Sequence, residues 1–345
     1  MKKKIMILGQ MKDLQTGLYI VQSIEELGHE AGFVDIRSII VEKGIKPGQQ
    51  IILDEIDKLN FDADIIIVLK GLELSLPTLK SIKEKYKKAK FCNWFFDVKV
   101  SGVNIWENTA FYDAIKLYDY FFCSLKGVSD KLNEAGFENA YHLAEACYPE
   151  LNKEVYMNNF QEGKYGEDIA FIGTIGLSFA HNNRVEYLNK IIKEGFNIKI
   201  WGSIAGEQKL IPIPIRENMK EGQFINESHS KICQSSLINL GIDQDPTLEY
   251  SWSARLYRIM CAGGLYLSTP TKGLEDYFKI NKKGGEITKE QDLVVFYDEN
   301  DLISKLDFLL EHNDIRESIR INGQKKVLSN HKFVDRINEL IKLVH

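Results

Sequence analysis

Short, wholly apolar runs alternate along this chain with stretches in which apolar residues recur every three or four positions. Ile5-Met6-Ile7-Leu8 is followed by Gly9 and a polar loop, and then Leu18, Val21, Ile24 and Leu27 recur until Gly28. This predicts a strand and a helix stopped by glycine. The pattern continues through Ala31 to Asp35, Ile65-Ile66-Ile67-Val68-Leu69, a Lys-rich helix from about Leu76 to Lys88, and Phe91-Cys92-Asn93-Trp94-Phe95-Phe96. Tyr120 to Cys123, a helix ending at Gly136, and Tyr141-His142-Leu143 complete this half. Continuous apolar strands alternating with helices predict a parallel sheet covered on both faces.

Between Pro149 and Gly166 the periodicity lapses into polar residues, which predicts a linker. At 345 residues the chain suits two domains, set at 1–155 and 156–345. The second opens on Asp168-Ile169-Ala170-Phe171-Ile172-Gly173. A helix follows, carrying Val185, Leu188, Ile191 and Ile192, capped by Asn182 or Asn183 and stopped by Gly195. Further strands are predicted at Ile198 to Gly202, Ser236 to Leu240, Leu265 to Ser268 and Leu293 to Phe296, with three helical pieces from about Asn300 to Leu343. Both halves are doubly wound α/β units, and such folds bind ligands at the C-terminal ends of their strands. The expected site is a crevice between two facing domains.

Composition adds exclusions. With 44% hydrophobic and 27% charged residues and a net charge of −5, the chain has no overall attraction for nucleic acid or anionic lipid. The lysines from Lys80 to Lys90 read as a solvated helix face, with peripheral membrane contact the weaker alternative. No apolar run approaches the roughly 20 residues of a membrane span, and the run behind the basic N-terminus is too short for a signal peptide, so a cytoplasmic protein is expected. The five cysteines, Cys92, Cys123, Cys147, Cys233 and Cys261, have no metal-ligand rhythm and read as buried thiols.

The chain lacks GxGxxG, the Walker A pattern, HExxH and GxSxG. Its densest constellation runs from Ser235 to Phe278. An apolar strand and an acidic loop lead to Tyr250, then Ser251-Trp252-Ser253-Ala254-Arg255-Leu256-Tyr257-Arg258-Ile259-Met260-Cys261-Ala262-Gly263-Gly264, a strand, and Thr269-Pro270-Thr271-Lys272-Gly273-Leu274-Glu275. This resembles the C-terminal domain of GT-B glycosyltransferases, and more narrowly the family of the spore maturation protein CgeB, which reads R-x-[YF]-E-x-x-x-x-G-G ahead of a strand and a Gly-Leu-Glu turn. Val68-Leu69-Lys70-Gly71, Trp94 to Asp97, Phe171 to Thr174 with Arg184, Trp201-Gly202-Ser203, and Asn322-Gly323 through His331 and Arg336 extend the likeness over most of the chain. One departure stands out. Where the wider group 1 glycosyltransferases place two Glu residues eight positions apart, this chain has Tyr250 and Arg258.

The resemblance implies a GT-B enzyme with a nucleotide sugar held by the second domain and helices of the tail crossing back to the first. The leaving diphosphate must be stabilised as its charge develops. Arg184 and Arg255 are the candidate cations, because a guanidinium binds phosphate bidentately; a surface Arg or an interdomain salt bridge is the competing reading. Gly273, Leu274 and Glu275, with Lys272 beside them, form a turn into a helix whose free N–H groups suit phosphate, or a plain cap. Gly173, Thr174 and Ser203 lie where a backbone approaches a ligand closely. Arg258 replaces the expected ribose carboxylate and points to a diphosphate contact instead, with Glu249 or Glu275 as substitute carboxylates. Tyr250 and Trp252 frame a base or sugar, or fill core.

On the acceptor side Lys70, Asp97 and His142 end first-domain strands, and Asp97 is the candidate catalytic base of an inverting transfer, or a strand-end cap. His142 reads equally as a partly buried structural histidine. Asp62-Ala63-Asp64 and Asp243-Gln244-Asp245 are nominal DxD motifs, yet no metal and no cofactor is expected beyond the nucleotide-sugar co-substrate, with UDP the favoured base. His331 and Arg336 read as structural. The acceptor, a hydroxyl on a glycan, protein or surface polymer, is to be chosen by the loops near Gln10 to Gly17 and Val98 to Asn108. The alternative is a non-catalytic nucleotide-sugar-binding or degenerate partner protein, which the Arg258 departure favours.

Overall fold

The computed structural model describes residues 1–11, 16–97, 99–100, 103–104, 109–149, 168–177, 182–224, 227–243 and 247–344. Most of the predicted linker and of the acceptor loop at 98–108, half of the acceptor loop at 10–17, and the last two residues of the second DxD motif, lie outside them. The chain divides into two compact units, one of residues 1–145 with 333–345 and one of residues 146–332.

The first unit runs β1 (Lys4–Gly9), α1 (Thr16–Glu26), β2 (Glu30–Asp35), α2 (Ile36–Lys43), α3 (Ile45–Lys58), β3 (Ile65–Leu69), α4 (Leu76–Lys85), β4 (Lys90–Phe95), a short hairpin of β5 (Lys99–Val100) and β6 (Val103–Asn104), α5 (Thr109–Ile115), β7 (Tyr120–Cys123), α6 (Lys126–Glu134) and β8 (Ala140–His142). The major strands form one parallel sheet in the order β2-β1-β3-β4-β7-β8, with Ile5 opposite Ile65 and Ile67 opposite Cys92. Ile65 through Val68 are at most 1% exposed, as strands covered on both faces must be. Each buried aliphatic side chain contributes about 1.5–3 kcal/mol.

Helices α2 and α3 fill the interval between Asp35 and Ile65, for which the sequence predicted nothing. Asp35 caps α2 by accepting the Ser38 N–H at 2.9 Å. Ser75 caps α4, whose Pro77 sits in its first turn. Two of that helix's lysines are neutralised, Lys83 by Asp119 at 2.9 Å and Lys85 by Asp57. Trp94 is fully buried, donating Nε1–H to the Leu143 carbonyl at 3.0 Å, and Phe333 of the final helix packs on Trp94 and Tyr19.

The second unit contains β9 (Ile169–Ile172), β10 (Ile175–Gly176), α7 (Asn182–Lys193), β11 (Ile198–Gly202), β12 (Ile204–Ala205), α8 (Ile213–Glu217), β13 (Met219–Glu221), α9 (Glu227–Ser235), β14 (Ile238–Gly241), α10 (Arg255–Cys261), β15 (Tyr266–Ser268), α11 (Leu274–Tyr277), β16 (Val294–Val295), α12 (Glu299–Glu311) and α13 (Asn313–Asn330). Its large sheet is parallel in the order β13-β11-β9-β14-β15-β16. The three predicted tail helices form, and the last, α14 (Phe333–Leu343), belongs to the first unit. All five cysteines are buried thiols.

His331 and Arg336 flank the crossing. The His331 ring is 4% exposed and packs against Tyr257, Tyr277 and Phe278, with centroids 5.3 to 5.6 Å away. Arg336 donates Nε–H to the Glu145 carbonyl at 3.4 Å. Among the described residues no helix is long and apolar enough to cross a membrane.

At the open edge of the second sheet, Asn281 stands in for a strand. It is 2% exposed; its Nδ2–H donates to the Val295 carbonyl and its Oδ1 accepts the Val295 N–H, both at 2.7 Å. Leaving two buried backbone groups unpaired is costly, so Asn281→Ala is expected to destabilise the protein by about 2–4 kcal/mol, measured by urea unfolding.

Candidate functional site

The strand ends of the second unit are drawn together by one arginine. Arg184, in the first turn of α7 and 4% exposed, donates Nη1–H to the Thr174 carbonyl at 2.7 Å and Nε–H to the Ile242 carbonyl at 3.0 Å. It thereby joins the ends of β9 and β14. Burial, then the charge of Arg255, brings its pKa down to about 9, with Asp243 and Tyr266 opposing; it stays cationic at neutral pH.

Arg255, the first residue of α10, donates its backbone N–H to Ser253 Oγ, and its guanidinium lies 5.3 Å from the centre of the Phe171 ring. Arg184 is 5.7 Å from the same ring. The Arg255 Nη2 passes so near Gly173 that a Cβ there would meet it at 2.8 Å. Arg255 Nη1 is buried and has no hydrogen-bond partner among the described residues.

Asp243, which feels the charge of both arginines, is 4% exposed, with Oδ1 accepting the Ser253 N–H at 3.2 Å and Oδ2 buried without a partner among the described residues. Burial raises its pKa, against the pull of Arg255, the Ser253 N–H and Arg184. Tyr266, fully buried on β15, is pushed up by burial and by Asp243. Asp243 entered the sequence reading only as half of a metal motif, and Tyr266 not at all, because it sits inside an apolar strand. The other nominal motif is a structural tie: Asp64 Oδ2 accepts the Lys4 N–H at 2.8 Å.

Thr174 and Ser203 come together, their hydroxyl oxygens 3.2 Å apart. Beside them Gly202, at φ 152°, approaches so closely that a Cβ would lie 2.1 Å from the Gly173 carbonyl oxygen, so no side chain fits.

Gly273 caps the short helix α11, as one of the two sequence readings has it. Gly273 is left-handed at φ 84°, and its missing Cβ leaves room for the Tyr250 ring, which would otherwise be 2.1 Å away. Tyr250, itself at φ 53°, donates its hydroxyl to Asp276 Oδ2 at 2.8 Å, and that bond, then burial, pushes its pKa up to about 12. Helix α11 is four residues long and has little dipole. The Leu274 N–H is already donated to the Thr271 carbonyl and the Asp276 N–H to the Gly273 carbonyl. Leu274 itself is a core residue, 1% exposed. Lys272 pairs with Glu249 at 3.0 Å, and Glu275 is exposed. Trp252 is core, donating Nε1–H to Tyr257 Oη at 2.9 Å.

In the first unit, Lys70, at φ 58°, pairs through Nζ with Asp97 Oδ2 at 2.7 Å. His142 is held neutral: burial, then Arg336, brings its pKa down to about 4. Arg258, one turn beyond Arg255, is half-buried near His229.

Residues 184–342 match the model of a family described as glycosyl transferase-like. No curated protein matches the chain in sequence. Among solved structures it is similar to an alpha-glucosyltransferase in complex with UDP-glucose and DNA containing an abasic site, at TM-score 0.68 and 11% identity over 100% of both chains. It is similar also to the catalytic domain of Arabidopsis thaliana starch synthase IV bound to ADP and acarbose, at TM-score 0.66 and 9% identity over 99% of this chain and 98% of that one. The chain has the GT-B fold. Anabaena HepE in complex with UDP aligns at TM-score 0.60 and 10% identity over 99% of each chain. In this GT-B chain the arginine and aspartate cluster sits where the β9 and β14 strands end, and such strand ends carry the ligands of open α/β sheets.

His229, on α9 and 8% exposed, has Nδ1 3.4 Å from Cys233 Sγ. Burial, then Arg258 and Arg255, lowers its pKa to about 3. The unfolded chain therefore takes up a proton, near its ordinary value of 6.5, that the native state refuses. Stability is retained above that pH and falls as the pH drops from about 6.5 towards 3. Between pH 6.5 and 4.5 the His229→Gln variant should lose about 2–3 kcal/mol less than the parent protein, as read by denaturant unfolding at each pH.

Proposed function

We propose that this chain is a cytoplasmic glycosyltransferase that moves a hexose from a nucleotide sugar, a UDP-sugar foremost, to a hydroxyl of a glycan, protein or surface polymer. The observation that carries this is the buried Nη1 of Arg255, without a partner among the described residues, on a guanidinium whose Nη2 lies beside Gly173, at the strand ends of a unit with a glycosyl transferase-like sequence. A buried cationic donor without an acceptor is a standing demand for an anion. The diphosphate fits it bidentately.

Arg184 has a different part. Its Nε and Nη1 are committed to carbonyls, so it fixes the loop and adds positive field, while Arg255 makes the contact. The leaving diphosphate is then stabilised by fixed cations, and no metal or other cofactor is part of the proposal. Thr174 and Ser203 offer hydroxyls, and Glu275 a free-standing carboxylate for the ribose. On the acceptor side the proposed groups are Asp97 as base, Lys70 paired with it, and His142 at the end of β8 in the same unit. The narrower kinship with the CgeB family belongs to the same proposal. The UDP and ADP complexes of the similar structures support a nucleoside diphosphate. The second reading, a non-catalytic nucleotide-sugar binder, draws on Arg258, a cation where the group 1 enzymes carry a carboxylate.

Thermal-shift titration with UDP, GDP, ADP, dTDP and CMP and their sugars tests binding. At 100 times Kd a ligand adds about 2.7 kcal/mol to stability. UDP is expected to raise Tm, and Arg255→Ala to weaken that response at least tenfold; a protein indifferent to every nucleotide would not be a transferase of this kind. Donor hydrolysis, lost in Arg255→Ala and Glu275→Ala but kept in Lys87→Ala, separates an enzyme from a binder.

A further inference from the structure

Past the Gly273 turn the second unit holds a pocket of about 930 Å³, at the upper end of the range of small-molecule sites. Its walls carry five lysines, Lys272, Lys279, Lys282, Lys283 and Lys326, against the carboxylates Glu275 and Asp276. Lys272 is paired with Glu249, and Asp276 accepts the Tyr250 hydroxyl. Among the described residues no carboxylate pairs with the other four ammonium groups. This surplus stands in a chain whose net charge is −5, so it is local. The half-buried Tyr277 and Tyr297 give the pocket aromatic surface, and the Tyr297 hydroxyl is fixed by donating to the Asn281 carbonyl at 3.0 Å.

A second observation points to a ligand. Thr271 lines the same pocket, is 4% exposed, and its buried Oγ1 has no hydrogen-bond partner among the described residues. A buried hydroxyl without a partner is uncommon in native proteins. Lysines supply charge, a hydroxyl supplies a directed hydrogen bond, and aromatic faces accept the C–H face of a sugar ring; together they suit a phosphorylated carbohydrate.

We propose that this pocket binds a phosphomonoester, carried on a sugar, separately from the nucleotide diphosphate at Arg255. The pocket's near edge shares Lys272 and Glu275 with the proposed donor turn, so nucleotide and sugar phosphate are tested side by side. Calorimetric titration of the full chain with glucose 6-phosphate as probe should give saturable binding that weakens as salt is raised. Replacing Lys279, Lys282, Lys283 and Lys326 together with Gln should weaken it at least tenfold, and Thr271→Val three- to tenfold, with UDP affinity changed less than twofold. Both variants keep the buried apolar contacts, and an unchanged Tm would establish that they fold.

No binding of glucose 6-phosphate, or equal binding by the Gln variant, overturns the proposal. So does competition between UDP and glucose 6-phosphate with parallel loss of both in the variant, which would make the pocket part of the nucleotide site. Glucose 6-phosphate binding in a protein that ignores every nucleotide would sustain this pocket while removing the donor assignment.

Discussion

The second unit depends on the grip of Arg184 on two carbonyls. Its guanidinium is almost wholly buried, so its charge has lost most of its hydration, and hydrogen bonds from a charged group, worth about 1.5–3 kcal/mol each, offset that loss. Pulling the β9 end from the β14 end would strand the charge. Phe171, Gly173 and Thr174 on one side and Ile242 and Asp243 on the other therefore hold fixed positions, which is what a preorganised site requires.

Around that clamp the charges do not balance. Two guanidiniums share the Phe171 ring and one carboxylate, Asp243, whose ionised form burial disfavours. Arg255 further depresses Arg184, so the two cations repel each other. An anion at Arg255 would relieve both the repulsion and the unsatisfied Nη1. The fold offsets the repulsion between the two cations through the backbone bonds of Arg184 and Asp243.

How much of this the sequence disclosed follows from how each feature is encoded. The central strand Ile65–Leu69 was legible to the residue, because burial on both faces demands an unbroken apolar run; Ile198–Gly202 was legible too, although Lys199 interrupts its apolar run. The strand Met219–Glu221 was not, since an edge strand with two exposed residues carries no such run. Helices α2 and α3 escaped because Gly44, Pro47 and Gly48 interrupt the Ile36, Ile40, Ile52 and Ile56 stripe. In the site, Arg184 and Arg255 were visible as cations near strand ends. That one is spent on carbonyls and the other left open is a matter of three-dimensional geometry, which no spacing reports. The Gly273 turn is the helix cap that the sequence offered as one reading; that its glycine makes room for the Tyr250 ring, and that two of its N–H groups are engaged, was not legible.

Arg258 follows from the same charge arithmetic. Residues three apart on a helix share a face, so a glutamate at 258 would lie one turn from Arg255 and compete with any anion for it. An arginine there removes that competitor and instead adds a second cation, whose field helps keep His229 neutral. The arginine strengthens the positive potential around α10.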